Sequence, residues 1–473
     1  MNNQKQYDFG ESVMVHKWFD VAVRLCSVSA IAGALLVPLL VAPTSTQAQP
    51  RTTQSTVPVR ELSAPVISKQ TFSNIFNVRQ IADGQVLVND GLRRQVVLLD
   101  AKLAPSRVVL DSVTSPNGER YGAVAAPLLA YLGDSSLFVD REAQALLVID
   151  PNGKIVRTVA SPAKGRQFTF LWFSASAVDH NGNLLFRAVT GTPAKRIGDT
   201  TSSTVVMEVR QPDSTYILRA NFDSRMTDTI ARLKQIGGMR TISTRPPNSR
   251  PTQRLIVSPI ETLDDWTTLS DGTVAIVRGG DYHVDFLRPN GKQESGAKLP
   301  FDWKPIADAD KQKIIDSTRK AVDDAAAAGG TSGSQAARDA QLKALIGSIE
   351  SMPGAAPVVQ QRALAVPAPS AAVPLIQYEF VPLNEMPSYY PPLRLGYTKG
   401  DSDGNLWILP TTSAQSKAGE LVYDVVSSKG AMVERVRVPL GRLIAGFGSG
   451  GVVYLMNKDA AGLWHLERTK VLR

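Results

Sequence analysis

The chain is short of the residues that most often announce chemistry. Among 473 residues there is one cysteine, Cys26, and there are four histidines. Cys26 lies ahead of the segment boundary expected near residue 48, so the chain after it has no disulfide, thiolate nucleophile or cysteine-bound metal. Past that boundary only His180, His283 and His465 remain, and none has a second histidine at ligand spacing. That excludes a zinc signature. There is no Gly-x-Ser-x-Gly phrase and no glycine loop suited to cradling a phosphate. The net charge is +9, but no run of five like charges occurs and the excess is distributed along the chain. Nucleic acid is therefore not an expected partner.

What is present is repetition. A two-residue turn followed by apolar alternation occurs at Asp83-Gly84, Asp134-Ser135, Asn181-Gly182, Asp271-Gly272, Asp403-Gly404 and Ser449-Gly450. A second phrase closes a later strand at Pro151-Asn152-Gly153, Pro212-Asp213, Pro289-Asn290-Gly291 and Ser428-Lys429-Gly430. Alternating valine and leucine between such turns reads as half-buried strands, and each unit reads as a small antiparallel sheet. About six such units predict an all-β, six-bladed β-propeller over residues 57–473. The last unit stops one strand short. The run Val57 to Ser68 is the expected donor, closing the ring with an N-terminal strand in the last blade.

The N-terminus has the pattern of an export signal. Lys17 and Arg24 flank a nearly wholly apolar stretch from Ser27 to Ala42, and Thr46-Gln47-Ala48 supplies small residues before Gln49. Pro38 and the short length favour cleavage over a spanning helix. Residues 1–48 are thus expected to be a signal peptide and 49–56 a polar tether, giving a periplasmic or extracellular protein with no membrane span.

Long segments interrupt the units at Thr190 to Ser203, Asn221 to Leu263, Phe301 to Pro391 and Thr411 to Glu420. In a four-stranded blade all of these fall on one face, opposite the short turns. Helices are predicted at Met226 to Ile236, Asp308 to Ala328 and Gln335 to Ser351, with an Ala/Pro-rich linker at Ala365 to Val373. Long loops on one face of a rigid scaffold are where binding usually resides.

The phrases from Asp83 to Arg94 and from Leu137 to Gly153, with the segment Asp265 to Gly291, resemble the NHL-repeat and TolB-like six-bladed propellers, here an exported bacterial type. The resemblance implies the fold far more than an activity, since such scaffolds host lactonases, lyases, receptors and protein-binding modules. In the lactonases a divalent cation such as calcium sits at the channel mouth. Asp90, Asp140, Asp264, Asp265 and Asp281 are the candidates here, although no glutamate takes the place of the lactonase's first ligand. Asp90 and Asp140 end equivalent strands and read as carboxylates that bind turn amides or Arg94.

The expected ligand-binding residues are Arg187, Trp266, Arg278, Tyr282 and His283, placed at or near the elaborated face with Tyr389-Tyr390. The competing structural reading packs Trp266 between blades and pairs Arg278 with a carboxylate such as Asp265 or Asp281. The expectation is non-catalytic recognition of a protein or small-molecule ligand, with no cofactor. The alternative is a metal-dependent hydrolase or lyase acting at the channel mouth.

Overall fold

Apolar residues on alternate positions, broken by turns that admit positive φ, dictate short paired strands. The computed structural model is accordingly almost all β. It describes residues 57–473 apart from 116–117, 123–124, 141–142, 144, 161–174, 189–193, 200, 238, 329–374, 397, 414 and 418–419. The described residues belong to the compact unit Thr52–Arg473. The expected signal and tether, the helix expected at 335–351 and the linker at 365–373 lie outside them.

The described strands form seven sheets. The first holds Ile75–Gln80, Val86–Asp90, Gln95–Leu99 and Pro105–Leu110; the second holds Leu128–Ala130, Ser136–Asp140, Ala145–Ile149 and Ile155–Ala160. The third holds Ala175–Val178, Leu184–Arg187, Ser214–Ala220 and Thr227–Ile236, with Thr262–Leu263 added at its edge. The fourth holds Asp265–Thr268, Val274–Arg278, His283–Leu287 and Gln293–Ser295. The fifth holds Thr398–Gly400, Leu406–Ile408, Leu421–Val426 and Met432–Val438, and the parallel strand Val59–Arg60 flanks it. In the sixth, Arg442–Gly448, Val452–Lys458 and Trp464–Lys470 are joined by Val66–Phe72, which pairs antiparallel with Trp464–Lys470. These consecutive up-and-down sheets make the fold a β-propeller.

The first strands of successive sheets lie side by side: Arg442–Gly448 by Ile75–Gln80, then Leu128–Ala130, Ala175–Val178, Asp265–Thr268 and Thr398–Gly400. Their short turns interlock at one end. Arg79 donates to the Ser135 carbonyl at 3.1 Å, Gly182 lies against Leu132, and Gly272 lies against His180. Gly404 meets Ser270, and the Asp403 carboxylate accepts the Gly450 and Gly451 amides at 2.8 and 2.7 Å. The Tyr454 hydroxyl then reaches Gln80 Oε1 at 2.9 Å. Gly446 lies within the strand Arg442–Gly448. A Cβ there would stand 2.6 Å from the Val78 carbonyl oxygen, so close approach of two backbones, not positive φ, requires glycine.

Three expectations give way. Met226 to Ile236 is not a helix: Thr227–Ile236 is a strand that pairs with Ser214–Ala220 as far as Lys234 and with Thr262–Leu263 at its end, burying Leu233 in the core. Helical spacing in its sequence loses to that pairing. Apolar alternation at Val205–Arg210 reads as a strand of the third unit, but Ser214–Ala220 takes the place beside Leu184–Arg187. A last strand of the fourth unit reads at Gly296 to Leu299, whereas the strand formed is Gln293–Ser295. The Val57 to Ser68 run also divides, its first part going to the fifth sheet and its end to the sixth.

The seventh sheet gathers the long insertions. Its order is Lys195–Arg196, Val205–Arg210, Arg240–Arg245, Thr252–Val257 and Leu375–Phe380. Its first four strands follow or precede, in chain order, the strands Leu184–Arg187, Ser214–Ala220, Thr227–Ile236 and Thr262–Leu263. The added sheet thus prolongs the third sheet, strand for strand, past its end. The helix Asp308–Ala328 covers one of its faces. Val322 packs on Leu255 and Val257, and Ile315 on Ile260, Ile306 and Met386.

Candidate functional site

Arg187 and Arg278 each end the second strand of their sheets, and Asp264-Asp265 lead into the fourth sheet. Those ends meet. Asp264 is 1% exposed and accepts the Lys234 amide at 2.8 Å, the Gly279 amide at 3.1 Å and Arg278 Nη1 at 2.6 Å. Its carbonyl accepts Arg187 Nη2 at 2.7 Å. Arg278 Nε donates to Asp285 Oδ2 at 2.6 Å, and the other Asp285 oxygen accepts Ser295 Oγ at 2.5 Å. His283 lies between carboxylates, Nδ1 at 2.6 Å from Asp281 and Nε2 at 3.2 Å from Asp285. Lys298 ends the series, 3.6 Å from Asp281.

Arg278 and Lys298 alternate with the carboxylates of Asp264, Asp285 and Asp281 along this ladder, and each stabilises its neighbours. Burial disfavours the Arg278 charge, but its hydrogen bonds to the Asp264 and Asp285 carboxylates outweigh it and hold its pKa above the usual value. Burial likewise pushes the Asp285 carboxyl up, yet Ser295 and Arg278 bring it below the ordinary range. Asp265 is a different case. It is buried, accepts the Gly396 and Thr398 amides at 3.0 and 3.1 Å, and burial raises its pKa against the opposing charge of Arg187. Lys399, next to Thr398 on the fifth sheet's first strand, is lowered by the same desolvation while Asp265 works against it.

Of the five residues singled out in the sequence, Arg187, Arg278 and His283 join this network. Trp266 and Tyr282 do not face solvent. Trp266 packs between the third and fourth sheets against Leu185, Ile217 and Leu233. Tyr282 is fully buried with φ 55°, and its hydroxyl donates to Asp424 at 2.7 Å. Large rings at these places fill the gaps between sheets. Arg278 pairs with Asp264 and Asp285, not with Asp265 or Asp281. Asp285 escaped notice, although His283-Val284-Asp285 puts both side chains on one face of a strand. Tyr389 remains 45% exposed and stands edge-on to Trp303.

Four of the five acidic residues named as cation candidates are held by backbone amides and arginines. Asp90 accepts the Ser73, Asn74 and Arg93 amides, and Asp140 accepts the Ala143 amide. Asp264 and Asp265 are held by amides and arginines as above. Among the described residues no group of three or more His, Cys, Asp or Glu side chains is placed to hold a metal ion. A depression of ≈ 570 Å³ lined by Arg288, Lys292, Glu294 and Lys429 shares no residue with the network.

No family model matches the chain, and no curated protein matches it. Solved structures do resemble it. A member of the DUF4221 family from Bacteroides vulgatus is 8% identical with a TM-score of 0.38, over 87% of this chain and 98% of that one. A gluconolactonase from Xanthomonas campestris is 9% identical with a TM-score of 0.34, over 88% and 97%. Streptogramin B lyase is 9% identical with a TM-score of 0.31, over 86% and 97%. At these values the propeller assignment rests on the sheets themselves.

Proposed function

We propose that six of the seven sheets are blades of one ring, closed by Val66–Phe72 in the last blade, and that the ring carries a non-catalytic binding platform. The platform is the added sheet with its helix, together with the Arg187–Asp281 ladder below it. One observation carries this reading: chain segments leaving the ring at three separate places converge on one five-stranded sheet. Three independent excursions that build a single ordered layer are a scaffold for recognition, since unrelated loops would be under no pressure to pair. The blade phrases keep their NHL-like, TolB-like character within this reading.

The test is capture of partners from the native extract on the immobilised chain, and on a variant with residues 305–375 replaced by a Gly-Ser linker. A partner held by the intact chain and lost by the variant is expected. An identical partner list from both would remove the platform from the reading.

Export belongs to the same proposal. Its support is the apolar stretch Ser27 to Ala42 with small residues before Gln49, and no helix among the described residues is long and apolar enough to cross a membrane. N-terminal sequencing of the protein recovered from its host should read from Gln49. A start at Met1 would overturn it.

A further inference from the structure

The added sheet has two faces of opposite character. Strand register puts Leu255, Val257, Tyr378 and Phe380 on the face that the helix covers. The same register puts Lys195, Arg210, Arg240 and Arg254 on the other face, across four adjacent strands. Arg240 and Arg254 have side chains 43% and 45% exposed, and Lys195 and Arg210 are exposed. Two carboxylates share the face: Glu208 lies 3.6 Å from Arg240, and Glu379 lies 3.3 Å from Arg254.

The charge of this region is unusual for the chain. Leaving out the blade strands between them, residues 195–213 and 237–257 hold seven Lys and Arg against three Asp and Glu, which is four of the chain's net nine positive charges. Arg210 and Arg240 are also direct cross-strand partners. Like charges placed opposite each other destabilise a sheet; Glu208 offsets Arg240, and an anionic ligand relieves the rest, because it is attracted by both arginines.

We propose that this basic face docks the protein onto an anionic phospholipid surface. The inference rests on the platform reading above and names what one side of the platform recognises. Two features favour headgroups over other polyanions. The cations spread over four strands in both dimensions of a flat sheet, which suits a planar array of charges rather than a thread. Between them stand Val206, Ile242, Thr244 and Thr252, and no aromatic side chain occupies this face in register. Bases of single-stranded nucleic acids are held by stacking on aromatic rings, which this face does not offer. Juxtamembrane basic residues act additively on such a surface, and salt screens them.

The probe is co-sedimentation of the chain from Gln49 onward, which keeps the whole unit Thr52–Arg473, with two vesicle types. One is phosphatidylcholine alone; the other is phosphatidylcholine with phosphatidylglycerol. Binding is expected only to the second and is expected to vanish at high salt. The triple variant Lys195→Gln, Arg210→Gln, Arg254→Gln should bind on the order of a hundredfold more weakly. A control with equal charge removed at the opposite end (Lys154→Gln, Lys292→Gln, Lys429→Gln) should bind like the parent. Should the triple variant misfold, Arg210→Gln alone serves, since it relieves the like-charge pair and should leave the melt unchanged while weakening binding about fivefold. Equal binding by the triple variant and the parent would overturn the proposal, as would equal binding to both vesicle types. Retention on heparin or polyglutamate without vesicle binding would also overturn it. If vesicles fail while the capture experiment still yields a platform-dependent partner, only the lipid assignment falls.

Discussion

A chain that begins at Ser73 is expected to lose cooperative folding, whereas one that begins at Val57 should melt with the full chain. The residues between them supply the outer strand of the sixth sheet and part of its core. Phe72 is fully buried among Ile75, Tyr454 and Leu466. Ser68 Oγ accepts the Leu466 amide at 3.0 Å, and Ser63 and Glu61 bind the backbone of Lys470 and Leu472. Without Val66–Phe72 the strand Trp464–Lys470 becomes an open edge, which invites association with other chains. The single change Phe72→Ala should itself cost about 3–5 kcal/mol. Calorimetry of the three chains decides the matter: an unchanged melting temperature for the chain from Ser73 would refute closure of the ring by this segment.

The second large effect is expected at Arg278. Its replacement by alanine leaves Asp264 charged, 1% exposed and without its cation. Removing one member of a buried pair in this way costs about 3–5 kcal/mol. Arg278→Lys should recover little, because Nε and Nη1 serve two carboxylates at once, both at 2.6 Å, and an ammonium has no such fork. Adding Asp264→Asn to Arg278→Ala should return part of the loss by removing the stranded charge. His283→Ala, by contrast, should cost little stability, since Arg278 and Ser295 still hold Asp285. Denaturant unfolding of the four variants tests the scheme. An Arg278→Ala protein within about 1 kcal/mol of the parent would show that the ladder does not hold these strand ends.

The propeller was legible in the sequence because its signal is local. Turns such as Asp271-Gly272 carry their own chemistry: Asp271 accepts the Thr273 amide at 2.9 Å, and Gly272 takes φ 83°. The helix Asp308–Ala328 was equally plain from its composition and length. The added sheet was not, because its strands are drawn from distant segments and one pairs in parallel across a long interval, which no local pattern encodes. The same cause misassigned Val205–Arg210 and turned Thr227–Ile236 into an expected helix. Within the site, Arg278 and His283 were legible as polar residues at strand ends. Trp266 and Tyr282 were misplaced because a large ring beside a turn suits a pocket and a gap between sheets equally well in sequence. The basic face was hidden for a further reason. Side chains of a strand alternate, so cations gathered on one face are two residues apart at best and never form a run.

The parallel strand Leu375–Phe380 has a consequence for how the molecule comes into being. Its neighbour Thr252–Val257 leaves the ribosome long before it, with the entire fourth sheet and the helix synthesised in between. Until then Thr252–Val257 has only one side paired, and closing so wide a loop is entropically slow. The outer layer therefore stands bare at one edge while the fourth blade is laid beside it, and it is roofed only just before the fifth and sixth blades are made.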